Sequence, residues 1–248
     1  MMAKMAETAR MEERVADTDT QRSGMDIHEL MQQAGRKFKV DFKSVKSGDQ
    51  TIEVLQIQNM TDYLERLAAR SDGPVDLPFW AKIWPTCVFA GYLLGSTKGA
   101  GKSLLEVGAG VGVCGLLAAL AGYEVTLTDV DEDALLFCRI NILKNGLSGR
   151  AQTAKADFTK DRLGRVFDVF VGCEVLYRPQ NYPGLLEFMD LHLAEDGEAF
   201  FAMDDSRAGR EFFQAASQGY EIRVLPVPAV GKGETRRSVV YRLRRKSS

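Results

Sequence analysis

The sequence predicts an α/β fold: seven strands in a mostly parallel sheet, helices on both faces, a C-terminal antiparallel hairpin and an N-terminal β-hairpin appendage. Three observations predict it. From about residue 84 onward, short apolar runs alternate with amphipathic helical stretches, the pattern of βα units laid into a parallel sheet. A glycine-rich turn joins the first of those strands to its helix. The last two strand-like runs have no helix between them and should pair with each other. At 248 residues an eight-unit barrel would fit, but eight βα units are not present.

Residues 1–24 are polar, without a clear apolar stripe, and read as a frayed or disordered leader. Its acidic residues Glu7, Glu12, Glu13, Asp17 and Asp19 do not suit a mitochondrial transit peptide, and it lacks a secretory apolar core. Phe38–Phe42 and Thr51–Ile57 alternate apolar and polar residues on either side of Ser47-Gly48-Asp49-Gln50, which predicts a hairpin. A short helix over Thr61–Ala69 and a linker over Ser71–Leu77 complete an appendage spanning 25–76, ahead of a main domain over 77–248. The strands expected there are Ser103–Val107, Glu124–Asp129, Ala151–Ala156, Val169–Cys173, Ala199–Met203, Tyr220–Leu225 and Arg237–Leu243. Helices are expected over Thr86–Leu94, Val113–Ala121, Asp131–Asn145, Pro183–Leu193 and Ala208–Ser217.

Composition narrows the function. With 27% charged residues and a net charge of −2, the chain is not a nucleic-acid binder driven by bulk basicity. The basic run at Arg236-Arg237 and Arg242–Lys246 reads as a solvated edge strand and tail. Cys87, Cys114, Cys138 and Cys173 form no C-x-x-C, which excludes a thioredoxin-type motif and a zinc ribbon; each reads as a small buried hydrophobe, and no metal is expected. His28 and His192 are too few for a histidine metal site or a Ser-His-Asp hydrolase. No apolar run reaches the ~18 residues of a membrane span. A cytoplasmic monomer is the expectation.

The chemistry concentrates in Leu104-Leu-Glu-Val-Gly-Ala-Gly-Val-Gly-Val-Cys-Gly115, a strand, a glycine turn and a helix start. Such a turn brings the backbone close to a ligand at a helix N-terminus. The dinucleotide fingerprint G-x-G-x-x-G would need glycine at position 113, which is Val113. What stands here is E-x-G-x-G-x-G over Glu106, Gly108, Gly110 and Gly112. A carboxylate at Glu106 suits a cationic cofactor and sits poorly beside a pyrophosphate, so the pattern points to S-adenosylmethionine. Asp129 ends the next strand, where a carboxylate accepts hydrogen bonds from ribose hydroxyls. Asp157 and Phe158 follow the third strand and are placed for the adenine amino group and ring face.

With these residues the chain resembles the class I, seven-β-strand, Rossmann-like S-adenosylmethionine-dependent methyltransferases over about Leu77–Leu243. Two local motifs carry a narrower likeness, to the protein-lysine methyltransferase branch with a D-x-x-Y motif after its fourth strand. One is Leu77-Pro-Phe-Trp-Ala-Lys-Ile-Trp-Pro-Thr86, and the other is Cys173-Glu-Val-Leu-Tyr177, in which Glu174 stands for the Asp. The resemblance implies that Trp84 and Cys173 lie against the cofactor and that Glu174 and Tyr177 orient the acceptor amine. It also implies a protein substrate, lysine first, although a histidine-directed member of the branch carries Glu at the same place. A small-molecule or RNA methyltransferase on the same fold is the alternative; a non-catalytic nucleotide-binding module is a more distant one.

Overall fold

The computed structural model describes residues 26–69, 77–97, 99, 101–206, 209–225 and 238–246. The predicted leader, and all of the predicted linker except Leu77, lie outside these residues. The first described element is a helix, Ile27–Lys37 (α1), which no periodicity in the sequence predicts. Asp26 caps it by accepting the His28 N–H at 3.2 Å, with Glu29 in the first turn and Arg36 and Lys37 in the last. Those charges complement the helix dipole and were the available signal. Only Leu30 and Ala34 are buried, too narrow a stripe to show as periodicity.

Val40–Ser47 (β1) and Gln50–Ile57 (β2) form the expected hairpin, paired from Val40 opposite Ile57 to Ser47 opposite Gln50. The two-residue turn needs a left-handed residue, which Gly48 supplies at φ +60°. β1 starts later than the alternation suggests because Phe38 caps α1, its N–H donating to the Ala34 carbonyl at 2.9 Å. Its ring then packs against Tyr63, Trp80 and Phe137.

Met60–Ala68 (α2) and Pro85–Ser96 (α3) precede the sheet, and Pro85 occupies the first turn of α3, where its missing N–H costs nothing. The alternating series is then Ser103–Val107 (β3), Val113–Leu120 (α4), Glu124–Asp129 (β4), Glu132–Lys144 (α5), Ala151–Lys155 (β5), Phe167–Cys173 (β6), Tyr182–His192 (α6), Leu193–Asp204 (β7), Arg210–Ala216 (α7), Tyr220–Leu225 (β8) and Ser238–Arg245 (β9). β3, β4 and β8 occupy their predicted spans. β7 begins six residues early, because Leu193 pairs with Phe167 across an irregularity in the ladder.

The sheet order is β5-β4-β3-β6-β7-β9-β8. β9 pairs antiparallel with β8, as expected, and also inserts beside β7. The chain winds outward from β3 through β4 to β5, then returns to lay β6 on the other side of β3. That reversal opens a crevice beyond the carboxyl ends of β3, β4 and β6, the place where ligands bind in open α/β sheets. No helix among the described residues is long and apolar enough to cross a membrane.

The hairpin is tied to this crevice by Asn141 of α5 and by Asn145, which caps the end of that helix. Asn141 accepts the Leu55 N–H at 2.7 Å through Oδ1 and donates through Nδ2 to the Val111 carbonyl in the glycine turn at 2.9 Å. Asn145 makes a reciprocal pair with Glu53, at 2.9 and 2.8 Å. Asn141 is fully buried, so Asn141→Leu strands a backbone donor and a backbone acceptor in the interior. The expected loss is about 2–4 kcal/mol of stability in urea denaturation; a midpoint matching the parent chain would contradict the clamp.

Candidate active site

Each strand end at the crevice carries one carboxylate. Glu106 lies on β3, Asp129 ends β4, and Glu174 follows β6 directly. All three are buried, and the buried charged residues among the described ones include no lysine or arginine. Burying a carboxylate without a cation beside it is costly, and at Glu106 and Asp129 burial shifts the group toward the neutral form. Burial, with a further push from the Asp129 charge, raises Glu106 from the ordinary 4.5 to about 8 even though the Gly115 N–H donates to its Oε2 at 2.8 Å. Asp129 is also raised, first by burial, against the pull of N–H groups from Asp131 at 3.0 Å and Gly110 at 2.9 Å.

Gly108, Gly110 and Gly112 all adopt left-handed backbone conformations, at φ +60°, +55° and +81°. At Gly110 the requirement is also one of space: a Cβ there would come within 2.7 Å of the Trp80 carbonyl oxygen. The segment from Leu77 to Trp84 thus passes over the glycine turn through the Trp80 backbone, while the Trp80 ring packs edge-on against Phe137. Trp84 sits at the entry to α3, partly buried, with its Nε1–H donating to the Phe79 carbonyl at 3.3 Å and the Lys82 ammonium 4.1 Å above its ring.

Glu174 has φ +57°, a left-handed conformation that strains a residue with a side chain by about 1–3 kcal/mol. The Glu174 N–H is held by the Ala202 carbonyl at 2.8 Å. Its Oε1 accepts from the Thr86 hydroxyl at 3.0 Å and the Asp204 N–H at 3.1 Å. The strain turns the side chain back under α3. Tyr177, three residues on, is 52% exposed and stacks under Arg178 at 5.5 Å. Cys173 is buried beside Cys87 and Cys114.

Asp157 and Phe158 lie past the end of β5, farther out along the sheet. Burial pulls Asp157 upward, but hydrogen bonds from Thr159 and Lys160 outweigh it and hold the carboxyl below the ordinary range. Phe158 is half-buried against the core between the sheet and α6. The structure therefore gathers Glu106, the glycines, Asp129 and Glu174 at one crevice, and leaves Tyr177 exposed three residues beyond Glu174. Thr86 and the Asp204 N–H complete the surroundings of Glu174. The sequence offered no signal for either beyond the position of Thr86 just after Trp84-Pro85.

This strand order, glycine turn and row of acidic strand ends define the class I methyltransferase fold. The chain belongs to the lysine methyltransferase family, whose model matches residues 61–219. It is 31% identical over 122 residues to the protein N-lysine methyltransferase METTL21A of Danio rerio, covering 46% of this chain and 55% of that protein. It is 28% identical over 119 residues to the EEF1A lysine methyltransferase 3 of Xenopus tropicalis, covering 46% and 53%. The chain thus spans about half the length of these curated relatives. Among solved structures, the glycopeptide N-methyltransferase MtfA complexed with sinefungin superposes with a TM-score of 0.57 at 15% identity, covering 70% of this chain and all of that one. A SAM-dependent methyltransferase from Agrobacterium tumefaciens gives 0.58 at 15% identity, covering 83% and 70%. These two likenesses are of fold.

The elevated Glu106 has a consequence for stability. Its folded pKa of about 8 lies above the ordinary 4.5, so the folded state gains from the neutral carboxyl at low pH and loses that advantage between 4.5 and 8. Glu106→Gln keeps an acceptor for the Gly115 N–H and removes the buried charge. The cofactor-free variant should be more stable than the parent at pH 8, by on the order of 3 kcal/mol, with the gap closing toward pH 5. Thermal denaturation across that range reads it; a gap independent of pH would contradict the assignment.

Proposed function

We propose that this protein is an S-adenosylmethionine-dependent N-methyltransferase acting on lysine side chains of a protein substrate. The observation that carries the reading is the row of buried carboxylates, Glu106, Asp129 and Glu174, on adjacent strand ends with no buried lysine or arginine beside them among the described residues. Such a row fits a cationic ligand and opposes a dinucleotide. Bound S-adenosylmethionine supplies a methyl group on a positively charged sulfonium.

In this reading Asp129 holds the ribose hydroxyls, Glu106 offsets the positive charge, and Gly108, Gly110 and Gly112 let the turn amides approach the carboxylate end of the ligand. Trp84, Cys173, Asp157 and Phe158 line the remainder. Glu174 and Tyr177 orient the acceptor nitrogen. A lysine in water has a pKa of ~10.4, so only ~0.04% is neutral at pH 7, and making it neutral corresponds to roughly 4–5 kcal/mol. Exclusion of water beside a positive sulfonium lowers that cost. Glu174 acts by positioning: Thr86 and the Asp204 N–H fix its Oε1, so the carboxylate keeps one orientation toward the acceptor. Membership of the lysine methyltransferase family supports the acceptor class. The four free cysteines support a cytoplasmic setting.

The test is to incubate the full chain with radiolabelled S-adenosylmethionine and a cell lysate, then recover the label. It should appear in protein, on lysine after hydrolysis; label in RNA or small molecules would contradict the reading. Glu174→Ala should abolish transfer with cofactor affinity nearly unchanged. Thr86→Val should lower kcat at least tenfold with unchanged cofactor affinity, and Thr86→Ser should restore it.

A further inference from the structure

The spacing of the cysteines in the sequence excludes a zinc ribbon, yet the fold gathers three of the four. Cys114 lies in the first turn of α4, Cys173 ends β6, and Glu106 sits on β3 between them. One ligand atom from each of these three residues lies within 4.8 Å of the other two, and all three residues are buried. Cys87, in the first turn of α3, has its thiol in contact with that of Cys173 and is partly exposed. Two thiols and a carboxylate from three elements therefore converge, with the Cys87 thiol of a fourth element beside Cys173.

The donor set is chemically specific. Magnesium and calcium take six or more oxygen ligands, which this cluster does not offer. Thiolates with one carboxylate suit a thiophilic, tetrahedral cation such as zinc or cadmium. Metal–sulfur bonds of ~2.3 Å put tetrahedral ligand atoms about 3.8 Å apart, so shifts of about 1 Å close Glu106, Cys114 and Cys173 around an ion, and Cys87 would join from beside Cys173 as the fourth ligand. The Gly115 N–H on Glu106 Oε2, at 2.8 Å, already fixes the carboxylate from outside.

We propose that Cys87, Cys114, Cys173 and Glu106 form a site for one zinc-class divalent cation, and that its occupation silences methyl transfer. Each thiol that binds gives its proton to the solvent, so no electron transfer is involved. Silencing follows from position and rests on the methyltransferase reading above. The ion takes the Glu106 carboxylate away from the cofactor, and it grips Cys173, the residue whose backbone leads into the strained Glu174.

Cadmium is the probe, because its thiolate complexes absorb in the ultraviolet. Chelator-treated, fully reduced full-length protein should develop a sulfur-to-cadmium band that saturates at one equivalent, and zinc should reverse it by competition. Cys114→Ser and Cys173→Ser should each weaken binding at least tenfold. Cys87→Ser, at the least buried of the three thiols, should also reduce the band and guards against a folding failure of the two core variants. Cys138→Ser, which removes a buried thiol outside the cluster, should leave the band intact. Absence of a one-equivalent band, or an equal band in all the serine variants, would overturn the site. With the band present, one equivalent of zinc should suppress transfer of labelled methyl, and chelation should restore it; unchanged transfer would overturn the silencing. If metal-free protein transfers no methyl at all, the methyltransferase reading and the silencing fall together, while the cadmium band still decides the site.

Discussion

Burial of carboxylates beside one another is the constraint from which the site follows. Removing an isolated carboxylate from water costs several kcal/mol, and a second one nearby adds repulsion. Glu106 lies one residue before the end of β3, Asp129 ends the neighbouring β4 and Glu174 follows β6, so the sheet itself fixes their proximity. What the fold supplies in return is backbone N–H groups: Gly115 for Glu106, Gly110 and Asp131 for Asp129, Asp204 for Glu174. These lessen the penalty without removing it, as the rise of Glu106 to about 8 indicates. A stability cost retained at one spot is the signature of a site arranged for a ligand of opposite charge.

The elements around the crevice act together to keep those groups in place. The three left-handed glycines make the turn between β3 and α4, and Asn141 grips that turn at the Val111 carbonyl while holding the hairpin by Leu55. α1 and the hairpin thereby share one core with the helices behind the sheet: Leu30, Val54 and Leu55 pack in the same cluster as Leu116 and Leu117. On the other side of β3, α3 brings Thr86 to Glu174 and Cys87 to Cys173. One short helix entry, Trp84 to Cys87, therefore reaches both the acidic strand end and the thiol cluster.

Much of this was legible in the sequence because it is written in local signals. β3, β4 and β8 are short apolar runs with clear turn residues on each side, and their observed bounds match the predicted ones. The glycine turn and Asp129 were legible because their spacing is fixed by a strand and a helix of ordinary length. α1 was not, since it buries only Leu30 and Ala34, its N-cap Asp26 looks like a surface residue, and its C-cap Phe38 reads as the start of the strand alternation. The Thr86–Glu174 bond joins residues 88 positions apart, and the cluster of Cys114 with Cys173 spans β3 to β6. Contacts at that separation leave no periodicity to read; they emerge only when the parallel strands are ordered. The cysteines show the limit well: each sits in an apolar stretch, which describes its burial and says nothing of its neighbours.

The central claim is that the buried acidic row awaits a cation. Titration calorimetry of S-adenosylmethionine at pH 7, in buffers of different ionisation enthalpy, tests it most directly. With Glu106 largely protonated in the free protein, binding should release protons to the buffer and tighten as pH rises toward 8. In Glu106→Gln that proton release should fall and the affinity should drop. Equal affinity and equal proton release in the two proteins would contradict the account.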